Sequence, residues 1–80
     1  MVTLLYFANV REAVGLGEEL IDLPAGVATV ADLADWLARR HDIFADRDRL
    51  RVAVDQVMAR FDTSIVGALE IAFFPPVTGG

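Results

Sequence analysis

The chain closes on Gly79-Gly80, and no other pair in it is so plainly shaped for chemistry. Two residues without a Cβ place an α-carboxylate on a stalk thin enough for a channel that admits no side chain. Ahead of them stand Val77 and Thr78, which can make extended-chain contacts along such a channel. Pro75 and Pro76 come before those, and proline fixes φ near about −65° and stiffens the exit. The spacing predicts that the reactive group is the carboxylate of Gly80, presented with Gly79. A bare carboxylate is a poor acyl donor, so any such chemistry has to be switched on from outside.

The other reactive side chains argue for less. There is no cysteine, which removes disulfides, thiol nucleophiles, persulfides and cysteine metal sites. There is no lysine, so copies cannot be joined through an ε-amine. His41, the single histidine, is expected at a helix end, in a dipole contact or in solvent. Asp42, Asp46 and Asp48 alternate with Arg47 and Arg49, which reads as a solvated, partly self-paired loop and not a metal site. No serine and histidine constellation for nucleophilic catalysis is visible. Twelve acidic residues against seven arginines give a net charge of −5, which disfavours a grip on nucleic-acid phosphates and suits docking on basic partners.

Eighty residues make one domain, and a hydrophobic fraction of 55% is enough for a small core. Apolar runs fall well short of the ~18 residues of a membrane span, and Met1-Val2-Thr3 opens no signal peptide. A soluble cytosolic protein is expected.

Val2 to Ala8 reads as a central strand with both faces largely apolar. Asn9 to Gly15 breaks the pattern, Gly15-Leu16-Gly17 supplies turn residues, and Glu19 to Leu23 completes a hairpin. Thr29 is an N-cap, and Asp32 three residues on forms a capping box for a helix carrying Val30, Leu33 and Leu37 on one face. Trp36 falls at the edge of that stripe, and Ile43 and Phe44 are expected beneath the polar connection that follows. Arg51 to Val54 and Val57 to Phe61 are strands about an Asp55-Gln56 turn, and Leu69 to Phe74 is the last strand. Phe73 and Phe74 must face opposite sides, one toward the core and one available as a docking anchor, with Phe7 a second anchor. The order is ββαβββ, an α+β arrangement of one mixed sheet on one main helix.

This order with a Gly-Gly tail resembles the ubiquitin-like β-grasp fold, with residues 1–74 as the domain and 75–80 as an extended flexible tail. Phe7-Ala8-Asn9-Val10-Arg11-Glu12-Ala13-Val14-Gly15 resembles the F-A-x-x-R-E-x-x-G signature of the molybdopterin synthase small subunit. Ala72 to Gly80 is similar to that family's A-F-F-P-P-V-[ST]-G-G ending, and Val52 to Gln56 to its V-A-V-N-Q turn. Val66-Gly67-Ala68-Leu69 departs from the family's Asp-Gly-Asp turn, which implies a loop of different shape.

The resemblance implies a sulfur carrier. A ubiquitin-activating-like adenylyltransferase, using ATP and Mg²⁺, would turn the Gly80 carboxylate into an acyl-adenylate. A sulfur donor protein would displace AMP and leave a thiocarboxylate, ionised near neutral pH. That end would enter the large synthase subunit and give its sulfur to a cyclic pyranopterin precursor, building the dithiolene of molybdopterin. Phe7, Phe74, Pro75, Pro76, Val77 and Thr78 would meet the partner, and the chain itself would bind no cofactor or metal. The family pattern is a heterotetramer. Two other readings stand beside this one: a carrier for another acceptor (thiazole, cysteine or tRNA thiolation), and a ubiquitin-like modifier of other proteins.

Overall fold

Alternation sets the centre of the molecule. In the computed structural model, which describes residues 1–76, Val2, Leu4 and Tyr6 are buried on one face of β1 (Val2–Tyr6). β2 (Glu18–Ile21) pairs antiparallel with β1 on one side, and β5 (Glu70–Phe74) pairs parallel with it on the other. β3 (Arg51–Val54) and β4 (Val57–Ala59) extend the sheet beyond β5, giving the order β2-β1-β5-β3-β4. This mixed five-stranded sheet carrying a helix is the ubiquitin-like β-grasp arrangement expected from the sequence.

The main helix, α2 (Val30–Ala38), starts where its cap requires. Thr29 Oγ1 accepts from the Asp32 N–H at 3.1 Å, and Asp32 Oδ2 accepts from the N–H groups of Thr29 and Ala28 at 3.1 and 3.0 Å. These backbone donors, Ala28 first, hold the Asp32 carboxyl below the usual carboxylate range. Two further N–H groups of the first turn, on Val30 and Ala31, donate to the carbonyls of Thr63 and Phe61. Val30, Leu33, Ala34 and Leu37 are buried against the sheet, while Trp36 is half-buried. No helix among the described residues is long and apolar enough to cross a membrane.

The segment after β1 differs from expectation. The first strand ends at Tyr6, and residues read as a break in the pattern form a short helix, α1 (Ala8–Val14). Its first residue, Ala8, has φ +50°, so the chain turns sharply out of the sheet there. Val10 is fully buried, and Gly15 at φ +87° ends the helix by donating its N–H to the Arg11 carbonyl at 2.8 Å. The helix is thus held by one anchoring side chain and one glycine cap.

The polar connection folds into two 3₁₀ turns, Asp42–Ala45 and Arg47–Arg49. Phe44 is fully buried there and meets Phe73 and Tyr6 with ring centroids 5.2 and 5.9 Å apart. Arg49 pairs with Asp46 at 3.3 Å within the segment, and Arg47 reaches Asp35 on α2 at 2.9 Å. Both pairs are largely exposed and worth little to stability. His41 lies edge-on to Phe44 at 6.2 Å.

Candidate functional site

β5 carries the Pro75-Pro76 exit, and its place in the sheet decides what surrounds it. Because β5 runs parallel to β1, both strands end at the same side of the domain. The Phe7 N–H donates to the Phe73 carbonyl at 3.1 Å, so Phe7 is fixed beside the exit. Phe7 is 49% exposed. Phe73 is fully buried in the core, while Phe74, on the opposite face, is only half-buried, as are Pro75 and Pro76. Val77, Thr78, Gly79 and Gly80 lie outside the described residues.

The face of the sheet that bears Phe74 is apolar along a whole row. Register places Leu5 beside Ala72, Ala72 beside Ala53, and Ala53 beside Met58, so four strands contribute to it. Met58 is 63% exposed. Arg51 sits opposite Phe74 and Glu18 opposite Leu5, placing one charge of each sign at the rim. The fully buried cluster draws instead on the other face, where Leu4, Tyr6, Ile71, Phe73 and Val52 meet α2. Alternation in β1 and β5 therefore reads as burial on both faces, and the described residues cover one of them with a helix. Leu5, Ala53 and Met58 were not singled out from the sequence, although their period-2 spacing was the available signal.

Residues of the R-E-x-x-G stretch have a structural part. The Arg11 guanidinium rests on Gly17, where a Cβ would stand 3.2 Å from Arg11 Cζ. The Gly17 carbonyl in turn accepts from the Tyr6 N–H at 2.9 Å, tying the segment after α1 to the end of β1. Glu12 is exposed on α1.

The Tyr6 hydroxyl donates to Glu19 Oε1 at 2.6 Å. Burial above all, and then that carboxylate, pushes the phenol pKa well above the ordinary tyrosine range.

Residues 4–80 match the model of the ThiS family. The chain belongs to the ThiS family. Its relatives within reach of full-length comparison include the molybdopterin synthase sulfur carrier subunits of Escherichia coli, 39% identical, and of Haemophilus influenzae, 36% identical; each covers all of both chains. Among solved structures, small archaeal modifier protein 1 of Haloferax volcanii superposes with a TM-score of 0.72 at 28% identity, covering 95% of this chain and 97% of that one. As a ThiS-family member, the chain shares its fold with proteins named both as sulfur carriers and as a protein modifier.

Proposed function

We propose that the chain is the sulfur-carrier subunit of a molybdopterin synthase. End-to-end similarity to two subunits of that name, through the Phe-Phe-Pro-Pro-Val-Thr-Gly-Gly ending, carries the reading. In it, an adenylyltransferase activates the Gly80 carboxylate with ATP and Mg²⁺, and a sulfur donor protein displaces AMP to leave the thiocarboxylate. The thiocarboxylate sulfur then attacks the cyclic pyranopterin precursor inside the large subunit, water cleaves the resulting thioester, and Gly80 returns as a carboxylate. The cycle runs in the cytoplasm, in a heterotetramer of two small and two large subunits.

Each part of the described structure has a task in this scheme. The row Leu5, Ala72, Ala53 and Met58, with Phe7 and Phe74, offers the large subunit an apolar docking face. Phe7 and Phe74 act as its anchors, flanking the point where Pro75-Pro76 send the tail into the partner. Stiffness at that point lowers the ordering entropy lost on capture. In this reading Val77 and Thr78 make extended-chain contacts along the large subunit's channel, and Gly79 and Gly80 pass its narrowest part.

The test uses protein bearing a Gly80 thiocarboxylate installed by intein cleavage, mixed with a large subunit and the cyclic precursor. Molybdopterin should form, and the ordinary carboxylate should give none. Absence of product with a competent large subunit would sink the reading. Likeness to the archaeal modifier favours a second one, in which Gly80 is joined to lysines of other proteins. That version predicts conjugates in cells that survive thiol reductants.

A further inference from the structure

Most of the arginines already have a partner within the domain. Arg47, Arg49 and Arg60 pair with Asp35, Asp46 and Asp62, Arg11 rests on Gly17, and Arg51 donates to the Leu50 carbonyl. Arg39 and Arg40 are exposed and join no ion pair among the described residues. They stand with Trp36 at the C-terminal end of α2, and the three line an open hollow of about 400 Å³. The Arg40 guanidinium lies over the Trp36 ring, 4.9 Å from its centroid. Trp36, the single tryptophan, packs against the core cluster and is half-buried.

The negative end of a helix favours two cations, which accounts for their charge but not for the stacked indole. Stacking steadies the Arg40 guanidinium and leaves the N–H donors in its plane free. Such a fork takes a carboxylate through two parallel hydrogen bonds. Phosphate fits less well. The N–H groups of Arg39, Arg40 and His41 already donate to the Trp36 and Leu37 carbonyls at 3.3, 3.0 and 3.0 Å, so these three residues bring no free backbone donor to the hollow. The carbonyl end of α2 also repels a dianion more than a monoanion. The occupant that fits is a segment bearing carboxylates, with an apolar side chain to meet the indole.

Position in the fold says which partner could bring it. His41 follows directly, its ring 6.2 Å from that of Phe44, and Phe44 stands 5.2 Å from Phe73. The Arg40 charge is also felt at the phenol of Tyr6, the last residue of β1. The hollow therefore lies toward the end of the domain where β1 and β5 finish and Pro75 begins the exit. It is on the helix side of the sheet, away from the row through Leu5 and Met58.

We propose that Trp36, Arg39 and Arg40 form a second docking site, which takes an acidic segment of a protein that receives the tail. On a chain of net charge −5 the patch is a local exception, so acidic segments are repelled elsewhere and held here. The proposal deepens the carrier reading and rests on it for the partner, though not for the chemistry of the patch.

The test has two arms. In the first, Arg39→Glu and Arg40→Glu are combined, and binding to the large subunit and to the activating adenylyltransferase is measured by calorimetry. One of the two should bind at least about tenfold more weakly, while Arg60→Glu, the same charge change elsewhere, should alter both by less than about twofold. Unchanged binding to both partners, or equal loss from Arg60→Glu, would overturn the proposal. In the second arm, Trp36 fluorescence follows titration of the full chain with a blocked tripeptide of leucine between two glutamates. A saturating change with Kd of about 1–5 mM is expected, weakened about fivefold or more by Arg39→Gln or Arg40→Gln and absent with glutamines in the peptide. No change, or tighter binding of inorganic tripolyphosphate through the same arginines, would overturn the assignment to carboxylates. Wild type that binds neither protein would instead sink the carrier reading, and the peptide arm would then decide the patch alone.

Discussion

The backbone N–H of Phe7 donates to the carbonyl of Phe73 at 3.1 Å, which welds an exposed aromatic ring to the strand that bears the tail. Phe73 itself is fully buried, and the next residue, Phe74, turns to the opposite face. Neighbouring phenylalanines therefore do different work. Phe73→Ala should cost about 3–5 kcal/mol, from lost burial and a cavity against Tyr6 and Phe44, and should unfold much of the protein at 37 °C. Phe7→Ala and Phe74→Ala should shift stability by less than about 1 kcal/mol but weaken large-subunit binding by about 2 kcal/mol, some 30-fold. Thermal melts beside calorimetric titration separate the two effects; equal loss of stability in all three variants would refute the assignment of faces.

Asp55 Oδ1 accepts from the N–H groups of both Leu69 and Glu70 at 2.9 Å, and the Asp55 N–H donates to the Glu70 carbonyl at 2.8 Å. The β3–β4 turn thus holds the start of β5. Asp55 and Gln56 have φ of +49° and +69°, the pair of left-handed residues that a tight hairpin turn requires. Asp55→Asn keeps an acceptor and tolerates that backbone, so it should be near neutral, whereas Asp55→Ala should cost about 1–2 kcal/mol. Gln56→Gly should stabilise by about 1 kcal/mol, raising the melting temperature by roughly 4–8 °C. A fall in melting temperature for Gln56→Gly would contradict the positive φ.

Much of this frame is legible in the sequence because it depends on local rules. Thr29 and Asp32 announce α2 by spacing alone, and the strand period puts Phe73 and Phe74 on opposite faces without saying which is core. What stays hidden is long-range. Seven residues are too few for α1 to signal itself, since a helix that short forms only when docked. Val10 and Val14 four apart and Gly15 after them were its only marks. The Asp55 link to Leu69 and Glu70 joins residues 14 and 15 apart, and no local pattern encodes it. Apolar residues on both faces of a strand do not say what covers each: α2 covers one, and no helix among the described residues covers the row through Leu5 and Met58.

Tyr6 gives a pH signature. Its phenol pKa is raised in the folded state, so the unfolded chain loses that proton first as pH rises. The stabilisation is complete below the unfolded phenol pKa of about 10 and is lost progressively above it. Wild type should therefore lose stability more steeply than Tyr6→Phe above pH ~10, in urea melts at matched salt. Parallel slopes would show that the phenol is not shielded.

The capping box answers in the opposite direction. Asp32 has a lowered pKa, so its contribution is present above the unfolded carboxylate value of about 3.8 and is lost as pH falls through the folded one. Thr29→Ala should cost about 1 kcal/mol at neutral pH. Asp32→Asn should flatten the acid limb of the stability profile relative to wild type, and an unchanged limb would count against the hydrogen bonds to Ala28 and Thr29.

Deletion of Gly80 isolates the tail from the domain. The fully buried cluster is built from residues up to Phe73, and β5 ends at Phe74, so no core contact in the described structure depends on the last residue. The shortened protein should melt within about 1 °C of wild type and bind the large subunit within about threefold, since the proposed anchors at Phe7 and Phe74 remain. Sulfur transfer should fall below detection, because a thiocarboxylate on Gly79 stops one residue, about 3.5 Å, short of the precursor. Retained transfer would show that the reacting carbonyl is not placed by tail length, and lost binding would move the principal contacts from the sheet face to the tail.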